Sequence, residues 1–343
     1  MPMQAPLPTV TGSSQTPLQP AETIVALVVT FNRLAQLQRT VARLLAEPVD
    51  HLLVIDNGSR DGSGLWLAAQ TDPRLTVITS AHNSGGAGGF EVGMREGVAR
   101  FDPDWLVLMD DDARPEPGMI AAFRAQDHHA ADAVAAAVYY PDGRICEMNR
   151  PSVNPFWSKV SFLRTIRRGR MGFHVPDAAY HGRQIAIDGA SFVGLFLSRA
   201  GVARAGFPDG RLFLYGDDVM YTLGLRRAGG TIRFAPDLRF VHDCGTFDGD
   251  IRVARPLWKA YYLHRNALLV YRRAAGPWYP MVLAAVVPKW WAKGRAYGPD
   301  RRAFRALLRL ALRDALTGRR NRSHAEIVAW SEALQARFAV PRA

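Results

Sequence analysis

The sequence predicts an α/β fold built on a mainly parallel, doubly wound sheet that carries a helical, strongly basic C-terminal extension. Three observations predict it. Short apolar runs recur between residues 23 and 139 with helix-like segments between them, the pattern of successive β-α units. The rhythm breaks at residues 147–184 and returns at SFVGLFLS (191–198). Beyond Pro256 the chain reads as helical, and residues 251–343 carry 19 Lys+Arg against 4 Asp+Glu, whereas residues 1–250 carry 24 against 27.

Residues 1–20, rich in Pro, Gln, Ser and Thr, read as a disordered leader without the charged and apolar regions of a signal peptide. TIVALVVT (23–30) is a continuous β-branched run, the mark of a strand covered on both faces. Leu34, Leu37, Val41, Leu44 and Leu45 follow at helical spacing. Strands are then expected at LLVID (52–56), LTVIT (75–79), WLVLM (105–109) and AVAAAVY (133–139). The stretch 147–184, rich in Arg, Pro and aromatics, reads as an insertion or mobile loop. After residues 191–198 come a helix near Asp217–Arg227 and a strand near Thr231–Ala235. This gives an α/β region over 21–250 and a helical, basic region over 251–343.

With 343 residues, 48% apolar and 22% charged, the chain can bury a large core and is neither collagen-like nor a disulfide miniprotein. Cys146 and Cys244 cannot frame a disulfide scaffold; they suit a reducing compartment and read as small buried hydrophobes. The net charge of +12 arises from the C-terminal region, which suggests an anionic partner: a membrane surface or a nucleic acid. The segment WYPMVLAAVVPKWW (278–291) is too short and Pro-broken to span a bilayer. Its tryptophans and flanking Lys289, Lys293 and Arg295 suit the membrane interface, followed by the Arg-rich stretch 301–322. An amphipathic helix packed on its own domain is the alternative.

Polar clusters follow three strand ends: TFNR (30–33), DNGS (56–59) and DDDA (110–113), so a ligand should bind at that sheet edge. Asp110 and Asp112 can face one hard divalent cation, although an ordinary loop or cap also accommodates such a run. Gly85, Gly86, Gly88 and Gly89 allow a backbone to approach a phosphate or sugar, or form a tight turn before Phe90. Their spacing is not that of a dinucleotide-binding turn. Asp217 and Asp218 open a helix, where one cap would suffice.

TFNR, DNGSRDGS, HNSGGAGGF (82–90) and LMDDDARP together resemble a family 2 glycosyltransferase of the GT-A fold, the nucleotide-diphospho-sugar transferase fold, over about residues 23–245. The glycine segment is similar to that of galactofuranosyltransferases. This resemblance implies that Thr30, Asn32, Arg33, Asp56, Asn57, Asn83, Gly85, Gly86, Gly89, Asp110 and Asp111 surround the sugar nucleotide, with Asp56 on the uracil. It implies that Asp110, Asp112 and His242 hold Mn2+ or Mg2+, that Asp218 is the general base, and that Asp217 contacts the acceptor or orients the base. In WKAYYLHRNALLVYRR (258–273), Arg265 and Asn266 could meet an acceptor or lipid phosphates, or pack inward.

The expectation is an inverting, metal-dependent enzyme that transfers galactofuranose from UDP-galactofuranose to a glycan or lipid-linked glycan. It would act in the cytoplasm, peripherally on the inner face of the membrane. A rhamnosyltransferase using dTDP-rhamnose is the nearest alternative. A nucleic-acid-binding protein is the alternative of another class, but the acidic sheet edge should repel a polyanion, so no nucleic-acid partner is expected.

Overall fold

The computed structural model describes residues 22–128, 130–244 and 253–339. The leader at 1–20 and the boundary at 250 lie outside the described residues. Among the described residues, nine strands form one sheet: β1 (Ile24–Thr30), β2 (His51–Asp56), β3 (Leu75–Thr79), β4 (Trp105–Asp110), β5 (Ala113–Pro115), β6 (Ala133–Tyr139), β7 (Ile185–Ile187), β8 (Leu195–Ser198) and β9 (Ile232–His242). Their order is β3-β2-β1-β4-β8-β6-β9-β5, with β7 on the first part of β9. Strands β1, β2, β3, β4, β6 and β9 share one direction, while β5, β7 and β8 oppose it. The mainly parallel sheet is therefore borne out, with β8 reversed at its centre.

The helices are α1 (Leu34–Leu45), α2 (Ser63–Ala68), α3 (Gly85–Phe101), α4 (Met119–Arg124), α5 (Lys159–Arg168), α6 (Arg199–Ala205), α7 (Asp217–Arg227), α8 (Lys259–Ala275), α9 (Tyr279–Lys293), α10 (Arg301–Thr317) and α11 (His324–Phe338). Alternation along β1 explains its unbroken apolar run. Ala26 and Val28 face a core shared with Leu37 and Val41 of α1, whereas Leu27 and Val29 face Phe90 and Met94 of α3.

Three expectations change. The glycine segment is not a loop before Phe90, because helix α3 already begins at Gly85. Gly85 has φ +73°, and a Cβ there would overlap the Phe213 carbonyl; a Cβ at Gly89 would overlap Val29, so these glycines seat α3 tightly on β1 and on the segment before α7. Residues 147–184 are folded rather than a mobile loop: Arg150 donates to the Val175 carbonyl at 2.9 Å and to Asp177 at 2.7 Å, and α5 lies within the excursion. Finally, the Arg-rich stretch 301–322 is largely α10, which packs on the protein itself. Phe304, Leu307, Leu308 and Ala311 are fully buried, and Asp314 accepts the Tyr261 hydroxyl of α8 at 2.9 Å. Among the described residues no helix is long and apolar enough to cross a membrane.

Candidate active site

Register brings the motifs together. Thr30 pairs with Asp56 across β1 and β2, and Val29 pairs with Asp110 across β1 and β4, so three strand ends share one edge. Ala113 of β5 pairs with His242 of β9, and the Asp243 N–H donates to the Asp112 carbonyl at 2.8 Å. A short antiparallel strand thus delivers a histidine 130 residues downstream to the acidic run.

His242 Nε2 lies 3.1 Å from Asp112 Oδ1, and Arg33 pairs with Asp112 Oδ2. One ligand atom from each of Asp110, Asp112 and His242 falls within 4.8 Å of the others. Two carboxylates and an imidazole at that spacing fit a hard divalent cation such as Mn2+ or Mg2+, the imidazole favouring Mn2+. The electrostatics agree with a site made for positive charge. Burial, then Asp112, pushes the Asp110 carboxyl up to about 6. Burial opposes the charged form of His242, but its bond to Asp112 and the nearby carboxylates outweigh it and raise the imidazole to about 10. A cation held by Nε2 would displace that proton.

Asp111 turns the other way. Its Oδ2 accepts the Thr30 hydroxyl at 2.7 Å, and burial, partly offset by that bond, raises its carboxyl to about 7. Thr30 and Asp111 therefore bind each other and lock β4 to β1, rather than offering free side chains to a nucleotide as expected. Asn57 is likewise engaged: its Nδ2 donates to the Gly85 carbonyl at 2.9 Å, and its Oδ1 accepts the Ser84 hydroxyl at 2.9 Å. Asn83 Oδ1 accepts the Gly85 N–H at 2.7 Å. These two asparagines shape the start of α3. Asn32, at φ +54°, joins the TFNR and DNGSRDGS loops: its N–H donates to Ser59 Oγ at 2.9 Å and its Oδ1 accepts the Arg60 N–H at 2.7 Å.

Asp56 differs from its neighbours. Its Oδ1 accepts the Ser59 N–H at 2.9 Å, while Oδ2 is buried with no hydrogen-bond partner among the described residues. An orphaned buried acceptor is costly to a fold and suits a ligand N–H such as that of a nucleobase. Gly86 of α3 faces open space.

Asp217 and Asp218 begin α7 as expected. Burial raises both carboxyls; Asp218 reaches about 6, with Asp110 adding to the effect while the Val219 N–H, 2.7 Å from its Oδ1, opposes it. The Asp110 charge also raises Asp217, so the start of α7 sits within the field of the acidic strand end.

The segment leading into α7 is bent, with positive φ at Phe213 (65°), Tyr215 (70°) and Gly216 (76°). Arg265 and Asn266 hold it. Asn266 Nδ2 lies 3.0, 2.7 and 2.9 Å from the carbonyls of Leu212, Leu214 and Tyr215, and Arg265, fully buried, reaches the Leu212 carbonyl at 2.9 Å. The pair therefore faces the core, not an acceptor or a lipid phosphate. Asn266→Ala should take this donor from the Leu214 and Tyr215 carbonyls, leaving Leu212 to Arg265, cost about 1–3 kcal/mol of stability, and lower turnover by an order of magnitude or more because α7 is misplaced. Denaturant unfolding and steady-state kinetics measure the two effects.

Sequence reasoning missed Asn149. Its Oδ1 sits 2.7 Å from His242 Nδ1 while its Nδ2 donates to Ser191 Oγ at 3.0 Å, an arrangement that fixes the ring and turns Nε2 toward Asp112. An asparagine inside an irregular stretch carries no periodic signal. Cys146, buried as expected, lies 3.9 Å from the same Nδ1.

Residues 25–188 match the family described as Glycosyl transferase family 2. The chain is 29% identical over 228 residues to galactofuranosyltransferase GlfT1 of Mycobacterium tuberculosis, covering 66% of this chain and 71% of that protein. It is 28% identical over 235 residues to galactofuranosyltransferase GlfT1 of Mycolicibacterium smegmatis, covering 66% and 72%. A solved mannosyltransferase from Pyrobaculum calidifontis, in complex with GDP-Man and Mn2+, is similar at 16% identity and TM-score 0.49 over 92% of this chain and 85% of that one. The family match covers the strand ends, the glycine-rich helix start and the acidic run, so over residues 25–188 the chain resembles glycosyltransferase family 2, and over 66% of its length it is similar in sequence to galactofuranosyltransferases.

Proposed function

We propose that the protein is an inverting, cation-dependent galactofuranosyltransferase that uses UDP-galactofuranose and a glycan or lipid-linked glycan acceptor, working peripherally at the inner face of the cytoplasmic membrane. The observation that carries this reading is the convergence of Asp110, Asp112 and His242 within 4.8 Å, with the Asp110 charge also acting on the Asp218 carboxyl. Asp110, Asp112 and His242 Nε2 would hold Mn2+ or Mg2+, which when bound supplies positive charge beside the donor diphosphate. Asp56 Oδ2 accepts the uracil N–H. Asp218, with Oδ1 held by Val219, takes the acceptor hydroxyl proton on Oδ2 as the hydroxyl oxygen bonds to the anomeric carbon and the bond from that carbon to the diphosphate breaks. Buried Asp217, whose own carboxyl is held well above the usual range by burial and by Asp218, orients the acceptor. One displacement suffices, so no covalent sugar-protein intermediate is needed.

A panel containing UDP-galactofuranose, UDP-galactopyranose and dTDP-rhamnose, assayed for nucleotide release with Mn2+ and a membrane extract, tests the donor. UDP release confined to the furanose donor is expected. Release of dTDP alone would replace this reading with a rhamnosyltransferase.

A further inference from the structure

We propose that α5 and α9 together form the surface by which the protein presses into an anionic lipid bilayer. The inference deepens the peripheral reading above and rests on it: it keeps the segment 278–291, adds α5 to it, and takes the Arg-rich stretch 301–322 out of the contact.

Both helices contain no buried residue, although both are rich in apolar side chains. Along α5, Val160, Leu163 and Ile166 recur at every third position and are 64%, 61% and 66% exposed, with Met171 at 66% just beyond. At the entrance to α9, Trp278 and Met281 are 51% and 55% exposed. The two apolar sets adjoin, because the Phe162 and Trp278 rings lie 6.2 Å apart. An apolar ridge on this scale, open to solvent, needs an occupant.

Charge selects the occupant. Residues 151–176 and 253–299 contain no Asp or Glu, while Arg164, Arg167, Arg168 and Arg170 are all exposed beside the ridge. Apolar side chains and tryptophan set among uniformly cationic neighbours match the acyl boundary and headgroups of an anionic leaflet. With 15 residues and an internal proline, α9 is suited to lying in the interface rather than crossing it.

The surface is tied to the candidate active site. Asn154, at the base of α5, donates its Nδ2 to the Ala274 carbonyl of α8 at 3.0 Å and its N–H to Asp188 at 2.7 Å; Asp188 in turn pairs with Arg226 of α7 at 2.8 Å. Asp218 and Arg226 lie eight positions apart on α7, about 12 Å at 1.5 Å per residue. A bilayer on this face would keep a membrane-anchored acceptor within reach of the opposite end of that helix.

Vesicle flotation of the full-length protein tests the assignment, using phosphatidylcholine alone or mixed with phosphatidylglycerol at low and high salt. The wild-type protein should float with the anionic vesicles and be partly released by salt. Leu163→Asp with Ile166→Asp should reduce recovery by about tenfold or more, and Arg167→Glu with Arg168→Glu should remove the preference for anionic lipid. Arg302→Glu with Arg319→Glu should bind like wild type. Unchanged thermal midpoints and UDP affinity in the variants show that the fold and the nucleotide site persist. If the aspartate pair floats like wild type, the α5–α9 assignment is overturned while the peripheral reading stands. If wild type floats with neither of these vesicles nor with native vesicles that retain proteins, both fall; if it floats only with the native vesicles, the partner is a protein and the lipid assignment alone is overturned.

Discussion

Asp218→Asn is expected to bind UDP and manganese like the wild-type protein while turning over roughly two to four powers of ten more slowly, the scale of losing a positioned base. Asparagine keeps the side-chain shape and can still accept the Val219 N–H, but it cannot take a proton. The wild-type pH profile carries the same signature. Burial, with Asp110 adding to it, holds the Asp218 carboxyl at about 6, so the proton-accepting form is present above that value and lost below it. The rate at limiting donor and acceptor should fall as pH drops through about 6. Asp217→Asn should have a smaller effect, because burial and Asp218 keep the Asp217 carboxyl well above the usual range. A greater loss at Asp217 than at Asp218 would exchange their assigned roles.

Asp110→Ala is expected to abolish manganese-dependent UDP binding and to bring activity below roughly a thousandth of wild type, since charge stabilisation of a departing diphosphate contributes several kcal/mol. Stability should move the other way. The carboxyl of Asp110 is raised to about 6 by burial and by Asp112, so its ionised form is disfavoured in the folded protein. Wild type therefore loses stability as pH rises from about 4, the ordinary carboxylate value, toward 6, and the variant escapes that loss. Its thermal midpoint should match or exceed wild type at neutral pH and converge with it in acid. Asp112→Ala should show the same functional loss without the gain, because it strips Arg33 and buried His242 of their shared partner.

The legibility of the sequence follows burial and local periodicity. Doubly covered β1, β2, β4 and β6 announce themselves as apolar runs, and α1 and α7 by spacing or an acidic start. The glycines were misleading because a helix packed hard against a strand and a tight turn both demand glycine; only the overlap of a Cβ at Gly89 with Val29 distinguishes them. Strands β5 and β7, three residues each, are too short to show a period, yet β5 carries the register that brings His242 to Asp112. Motif reading located the acidic residues but not the division of labour among them: Asp111 faces Thr30, and Asn57 faces Gly85, because of tertiary hydrogen bonds between segments far apart in the chain. Arg265 and Asn266 show the same limit, since an arginine in an amphipathic helix looks like surface until the carbonyls around Leu212 are in place.

The central claim is that Asp110, Asp112 and His242 join a divalent cation to the diphosphate of a sugar nucleotide. Calorimetric titration of UDP into the unmodified protein, with manganese and then with the metal removed by a chelator, tests it most directly. The account predicts binding that weakens by at least about a hundredfold without the metal, the scale of several kcal/mol of charge stabilisation. Equal UDP affinity in the two titrations would contradict it.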